Sequence, residues 1–208
     1  EGSLHILLAL NTFAYLRVRD LQAYLRLSSD ASLRRTLLSL ESDGYISHTL
    51  DHRRYQVFAL SVKGSNVLKR EGYSDARATT RFLNAGNYEH RTLANEIAIY
   101  HSQGDYNKIW TEHQIQAGRT PVVYGFNKVP DYLIHTEGMG YTWGEVERTK
   151  KSKDDFSRLL RWISLMFRCP NGELPQLTAD GYLCRVEFAC SPSFEHRLIK
   201  VVGEDFAD

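Results

Sequence analysis

Leu40-Glu41-Ser42-Asp43-Gly44-Tyr45-Ile46 decides how the first third of the chain is read. Leu40 closes a helical series of leucines. Asp43-Gly44 stops the helix, because glycine accepts the left-handed residue that ends it, and Tyr45-Ile46 opens a strand. Working backwards, Leu33, Leu37, Leu38 and Leu40 form the core face of a helix from about Ala31 to Ser42, with Ser29 or Asp30 as its N-cap. A second helix fits Val18 to Leu25, with Leu21, Tyr24 and Leu25 inward. Leu4, Leu7, Leu8 and Leu10 are spaced for the buried side of another, whose pattern fades at Phe13–Tyr15. Working forwards, Tyr45 to Leu50 and Tyr55 to Leu60 read as strands around the turn Asp51-His52-Arg53-Arg54. Ser61-Val62-Lys63-Gly64 then caps a last helix through Leu68.

Helix, helix, helix, hairpin, helix is the order of a winged helix-turn-helix, expected over residues 3–73 and as a domain over 1–75. The opening phrase resembles the "L-x-x-x-G-[YL]-[IV]" junction of bacterial winged-helix regulators, and Leu60-Ser61-Val62-Lys63-Gly64 is similar to the "L-T-x-x-G" that leads into their final helix. The resemblance implies docking on double-stranded DNA, with the third helix in the major groove. Ser32, Arg34, Arg35 and Ser39 lie off the leucine face and are the expected base-reading residues. Arg53 and Arg54, at the wing tip, are placed to reach phosphate or the minor groove. The competing reading of these arginines is a solvated face on a domain that contacts protein.

The bulk numbers leave room for this. A chain of 208 residues makes one large domain or two small ones, and 42% hydrophobic with 25% charged residues is ordinary for a globular protein. Apolar runs such as Leu4 to Leu10 are too short to span a bilayer, so no membrane partner is expected. Lys and Arg total 26 against 25 Asp and Glu, a net charge of +1, and acid outweighs base only after residue 170. Cys169, Cys184 and Cys190 form no CxxC pair and read as reduced thiols of a cytoplasmic protein. Glu1-Gly2-Ser3, without Met, reads as an appended scar or a cut end, which leaves room for a missing native N-terminal segment.

A polar stretch from Glu71 to Gly86, with Arg77 and Arg81, is the expected linker to a second domain over 86–208. There a helix is expected from about Asn87 to His101 with Leu93, Ile97 and Tyr100 on its apolar face. A strand follows over Asn107 to Ile115, then a short extended piece over Pro121 to Gly125. Val129 to His135 and Tyr141 to Arg148 form a hairpin turned at Gly138-Met139-Gly140. A long helix from about Asp154 to Phe167 faces the core with Phe156, Leu159, Leu160, Ile163 and Phe167, and a strand runs from Tyr182 to Ala189. This α+β order of helix, strands, hairpin, helix, strand resembles the core of the PD-(D/E)xK, restriction-endonuclease-like nucleases. Pro130-Asp131 and Glu145-Val146-Glu147 carry the likeness.

The chemistry behind that pattern is hydrolysis of a phosphodiester by a divalent cation. Mg²⁺ or Mn²⁺ takes carboxylates and water as ligands. Asp131, Glu145 and Glu147 are the expected metal ligands, since residues two apart on a strand share a face. Glu96 on the preceding helix is a candidate ligand or water-orienting group, and His90 and Glu112 are further candidates. One departure stands out: the family expects Lys two residues after the strand carboxylate, and Glu147 occupies that position. Lys150 and Lys151 follow just beyond the strand and are expected to contact phosphate.

Tyr88-Glu89-His90-Arg91-Thr92-Leu93-Ala94-Asn95-Glu96 is similar to the "R-H-x-L-x-x-x-E/N" helix of the replication-relaxation family. Pro130-Asp131 with Glu145-Val146-Glu147-Arg148-Thr149 is similar to its "P-D … L-E-x-D/E-x-x-T" stretch. That family includes the MOBC-type plasmid relaxases. The resemblance implies a metal-dependent DNA-nicking endonuclease acting at a plasmid or integrative-element transfer origin, with a homodimer and mobilisation or coupling proteins as possible partners. No His-x-His triplet exists to support the two-histidine, tyrosine-nucleophile mechanism of other relaxases. The alternative is a non-enzymatic winged-helix regulator of replication, mobilisation or transcription whose nuclease-like domain is inactive, and a protein-interaction adaptor is a third option. No Walker loop, GxGxxG after a strand, GxSxG or HExxH points elsewhere.

Overall fold

The computed structural model describes residues 2–79, 87–104, 108–121, 128–148, 151–167, 173–179 and 181–205. The described residues form an α+β arrangement of eight helices and two sheets. The first region runs α1 (Gly2–Phe13), β1 (Tyr15–Arg17), α2 (Val18–Tyr24), α3 (Asp30–Ser42), β2 (Ile46–Leu50), β3 (Gln56–Leu60) and α4 (Val62–Arg70). Its sheet has the order β1-β3-β2, antiparallel throughout, with Leu16 opposite Phe58 and Thr49 opposite Val57. Helix α3 starts where its cap predicts, the Ser29 hydroxyl accepting from the Ala31 amide at 3.3 Å, and ends before Gly44 at φ +75°.

The two phrases that decided the sequence reading touch each other. The Ser61 hydroxyl accepts from the Gly64 amide at 3.0 Å, which caps α4, and is 2.7 and 2.8 Å from the Gly44 and Tyr45 carbonyls, toward which it donates. A Cβ on Gly64 would come within 2.1 Å of the Tyr45 carbonyl oxygen. The glycine that leads into α4 is therefore required by the backbone that leaves α3.

Leu33, Leu37 and Leu40 are buried as expected, but Leu38 is 63% exposed. Positions 33, 37 and 40 stack on one stripe, and residue 38 lies about 100° off it. The three-residue β1 went unread because Tyr15-Leu16-Arg17 is too short to show a period.

The second region runs α5 (Tyr88–Ser102), β4 (Lys108–Thr111), α6 (Glu112–Gln116), β5 (Tyr132–Thr136), β6 (Gly140–Glu147), α7 (Lys153–Phe167), β7 (Gln176–Thr178), β8 (Gly181–Cys190) and α8 (Pro192–Asp205). Its sheet order is β4-β5-β6-β8-β7. The β4/β5 and β5/β6 pairs are antiparallel, and β6/β8 is parallel with α7 in the crossover. Tyr132, Ile134 and Val146 turn to the α5 side. Leu133, Tyr141 and Trp143 turn to the other side, under Phe156, Leu159, Trp162, Ile163 and Met166 of α7 and Phe194 of α8.

Several sequence expectations change here. The strand expected over Asn107 to Ile115 ends at Thr111, where a capping box starts α6: the Gln114 amide donates to the Thr111 hydroxyl at 3.3 Å, and the Thr111 amide donates to the Gln114 side chain at 3.1 Å. Helix α5 packs the expected Leu93 and Ile97 half-buried against the core but turns Tyr100 outward. It is packed between two layers and buries Thr92, Asn95, Ala98 and Ile99, with Tyr100 74% exposed. On α7, Phe167 turns outward, and Trp162 and Met166 take its place in the core. Strand β7 and helix α8 went unread. The extended piece expected at 122–125 lies outside the described residues.

One apolar cluster crosses the expected boundary between 75 and 86. It runs from Leu7, Leu10 and Leu37 through Ala94, Ala98 and Ile99 of α5 to Tyr132, Ile134 and Val146 of the second sheet. Asn95, buried, donates to the Phe13 and Tyr15 carbonyls at 3.1 and 3.2 Å and so satisfies backbone at the α1/β1 corner.

Candidate functional site

The expected carboxylates meet where β5 begins and β6 ends. The Asp131 amide donates to the Gly144 carbonyl at 2.9 Å, and the Val146 amide donates to Asp131 Oδ2 at 2.7 Å. The Asp131 side chain is thereby fixed to the backbone between Glu145 and Glu147. Tyr141, Trp143, Glu145 and Glu147 alternate onto one face of β6, away from Val146. A cleft of about 440 Å³ opens here, lined by His90, Arg91, Glu112, Lys128, Asp131, Glu145, Glu147, Arg148 and Lys151 among others.

Asp131, Glu145 and Glu147 are only 9%, 3% and 7% exposed, and each meets a positive partner or a donor. His90 Nε2 lies 2.7 Å from Asp131 Oδ1. Lys128 ion-pairs with Glu145, whose other oxygen accepts from the Trp143 indole at 2.5 Å. Lys128 also sits over the Trp162 ring, 4.8 Å from its centroid. Lys151 Nζ is 2.9 Å from Glu147, and Arg91 pairs with Glu112 at 3.0 Å. Burial raises the Glu145 carboxyl above the usual range, partly offset by Lys128 and the indole donor. The hydrogen bond to Asp131 raises His90 above the ordinary imidazole value, against its own burial.

Among the sequence-predicted residues, Asp131, Glu145, Glu147 and Lys151 share this cleft, joined by His90 and Glu112. Lys150 lies outside the described residues. Glu96 is elsewhere: six residues beyond His90 it has turned about 600° around α5, and it ion-pairs with Arg17 and Arg19. Lys128 was missed, and no local pattern marks it, because only the folding of the 128–131 segment across β6 brings it to Glu145. The carboxylates suit a hard divalent cation in kind. In spacing they do not present a ready ligand set, since among the described residues no three His, Cys, Asp or Glu side chains are grouped to hold a metal ion.

No family model, curated protein or solved structure matches this chain.

The expected DNA-contacting residues are all solvent-exposed: Ser32, Arg34, Arg35 and Ser39 along α3, and Arg53 and Arg54 at the β2–β3 turn. Arg34 makes an exposed ion pair with Asp30 at 2.8 Å. Arg54 adopts φ +63°, which swings the turn. Between α3 and the turn lies a groove of about 400 Å³ whose lining includes Arg17, Arg19, Arg34 and Arg54. Arg17 and Arg19 went unmarked in the sequence because they belong to the unread β1 and to the start of α2. No helix among the described residues is long and apolar enough to cross a membrane.

Proposed function

We propose that the chain binds double-stranded DNA through α3 and the β2–β3 turn, and that its carboxylate cleft nicks DNA with a divalent cation at a transfer origin. The order α1-β1-α2-α3-β2-β3 with the sheet β1-β3-β2 supports a winged helix-turn-helix. The order α5-β4-α6-β5-β6-α7-β7-β8, in which β4/β5 and β5/β6 pair antiparallel and β6/β8 parallel, supports a PD-(D/E)xK-like core. Together they favour the replication-relaxation resemblance.

The observation that carries the reading is three buried carboxylates in one cleft, faced by Lys128 and Lys151. Taking a carboxylate out of water costs several kcal/mol, which an ion pair only roughly offsets. Three together are poor structural material and suit a site that takes up a cation. The lysine that the pattern expects at position 147 is absent, but Lys128 and Lys151 bring ammonium groups to the same carboxylates. Asp131, Glu145 and Glu147 are the side chains that would hold Mg²⁺ or Mn²⁺ once those lysines turn to phosphate. The ion would supply an activated water and charge neutralisation. Supercoiled plasmid carrying the chain's native origin is expected to open to circles with Mn²⁺ or Mg²⁺, not with EDTA, and not with Asp131→Asn.

A second reading has its own support. Each carboxylate already has a partner within the chain, and Glu147 stands where the lysine is expected, as suits a DNA-binding regulator with a silent cleft. Intact plasmid together with a retained gel shift would select that reading.

A further inference from the structure

The β2–β3 turn and the cleft meet at the first turn of α5, where three successive side chains reach in two directions. Tyr88 donates its buried hydroxyl to Asp51 Oδ2 at 2.9 Å. Asp51, also buried, accepts the Arg53 and Tyr55 amides on its other oxygen at 2.9 and 2.8 Å. Glu89 pairs with His52 of the turn at 3.0 Å and, through its other oxygen, with Arg148. Arg148 directly follows Glu147 and lines the cleft. His90 completes the series on Asp131. His52 of the turn and Arg148 of the cleft are therefore bridged by a single carboxylate, Glu89.

That carboxylate is accessible. The side chains of His52, Glu89 and Arg148 are 52%, 38% and 34% exposed. An exposed ion pair contributes little to stability, so exchanging one partner costs little. Guanidinium recognises carboxylate and phosphate with the same fork of donors. We propose that duplex DNA held at the β2–β3 turn runs on across the first turn of α5 into the cleft, with one of its phosphates displacing Glu89 from between His52 and Arg148. The inference rests on the DNA-binding reading above and names its substrate: a phosphodiester continuous with the bound duplex, a short distance from the turn. Asp51 and Tyr88 fix that distance by tying the turn to α5.

The test is a salt titration of DNA affinity, by fluorescence anisotropy, with the full chain and a labelled random-sequence duplex of about 40 base pairs in EDTA. Sequence-independent affinity falls with salt in proportion to the phosphates contacted. Arg54→Ala and Arg148→Ala are each expected to flatten the slope of log affinity against log salt by about 1. Glu89→Gln is expected to tighten binding several-fold, an improvement that a purely structural Glu89 would not give. If the parent chain binds, Arg54→Ala weakens it, and neither Arg148→Ala nor Glu89→Gln changes affinity, the DNA path misses α5 and the inference falls while the DNA-binding reading stands. If the parent chain does not bind the duplex, both fall.

Discussion

On α3 and the β2–β3 turn, Arg34, Arg35, Arg53 and Arg54 stand in solvent above an apolar layer of Leu33, Leu37 and Leu40. In the β5–β6 cleft, Asp131, Glu145 and Glu147 are inside, packed with Trp143 and matched one by one with His90, Lys128 and Lys151. The arginines are not desolvated, so their field reaches outward at almost no cost to the fold. The carboxylates are desolvated, so their charge depends on the partners that meet them inside the fold. On the proposed reading, stability and function are separable in the first region and opposed in the second. Substitutions that act on one side of this contrast test it.

The largest expected effect asks whether the two regions are energetically distinct at all. Leu10 is fully buried in the cluster that continues to Tyr132, Ile134 and Val146. Leu10→Ala should cost about 2–5 kcal/mol. All three tryptophans, Trp110, Trp143 and Trp162, lie in the second region, so tryptophan fluorescence reports on that region alone. In urea, Leu10→Ala is expected to shift the fluorescence transition as far as the far-ultraviolet dichroism transition. A fluorescence transition left at its parent midpoint would mean that the regions unfold independently, despite the shared cluster.

Removing Asp51 comes next. Asp51→Ala strands the buried Tyr88 hydroxyl and two turn amides, a loss of about 1–3 kcal/mol. It should lower the melting temperature and loosen the Arg53–Arg54 turn together. An unchanged melting temperature would mean that the turn is not anchored to α5.

Asp51 also shows where sequence reading reaches. The first region was legible because its signals are local: leucine spacing, the Ser29 cap, the Gly44 stop and the Gly64 lead-in each act within one element or its neighbour. In the second region the hairpin, α7 and the placement of Asp131, Glu145 and Glu147 on one cleft followed from strand period and turn glycines. What was lost depended on partners distant in sequence. The strand read over Asn107 to Ile115 rested on Ile109, Trp110 and Thr111, and the Thr111–Gln114 capping box that ends it was present but unread. Phe194, Leu198 and Val201 of α8 have helical spacing, yet they sat inside a stretch read only for its acidity. Glu96 was assigned to the cleft by residue type, and the turn of the helix carries it to Arg17 and Arg19 instead. Lys128 and the Glu89 bridge exist only once the sheet and α5 are assembled.

A smaller effect, of unusual sign, tests the cleft. Burial, more than any other influence, raises the Glu145 carboxyl above the usual range, and Asp131 adds to the rise against Lys128 and Trp143. With the folded pKa above the unfolded one, the folded state binds the proton more readily. Stability contributed by this group is therefore present at low pH and lost as pH rises through the interval between the two values. Glu145→Gln removes the titration and leaves Lys128, whose side chain is 32% exposed, to water, so it is expected to stabilise the chain at neutral pH. The gain should shrink as pH falls toward the ordinary glutamate range of about 4 to 5, and nicking should be lost. Melting temperatures of both proteins from neutral to acid pH would show it. Destabilisation at neutral pH would mean that the Lys128 pair outweighs burial and that the carboxylate is structural.

The smallest change to the fold should come with a clear change in binding. Arg34 pairs with Asp30 at 2.8 Å, but the two side chains are 53% and 46% exposed, and exposed pairs four apart on a helix contribute about 0.3–0.5 kcal/mol. Arg34→Ala should therefore leave the melting temperature almost unmoved. If α3 lies against a phosphate backbone, the same substitution lowers the slope of log affinity against log salt by about 1 and leaves Asp30 as an unpaired negative charge facing DNA, which weakens binding further. Asp30→Ala removes only the repulsion and frees the guanidinium, so it should tighten binding where Arg34→Ala weakens it. Opposite signs at two residues in one ion pair, with equal and negligible effects on stability, are what a face shaped for an external polyanion requires. Equal losses of affinity at both positions would mean instead that the pair orders the start of α3, and that the first region holds its charge for the sake of its own structure.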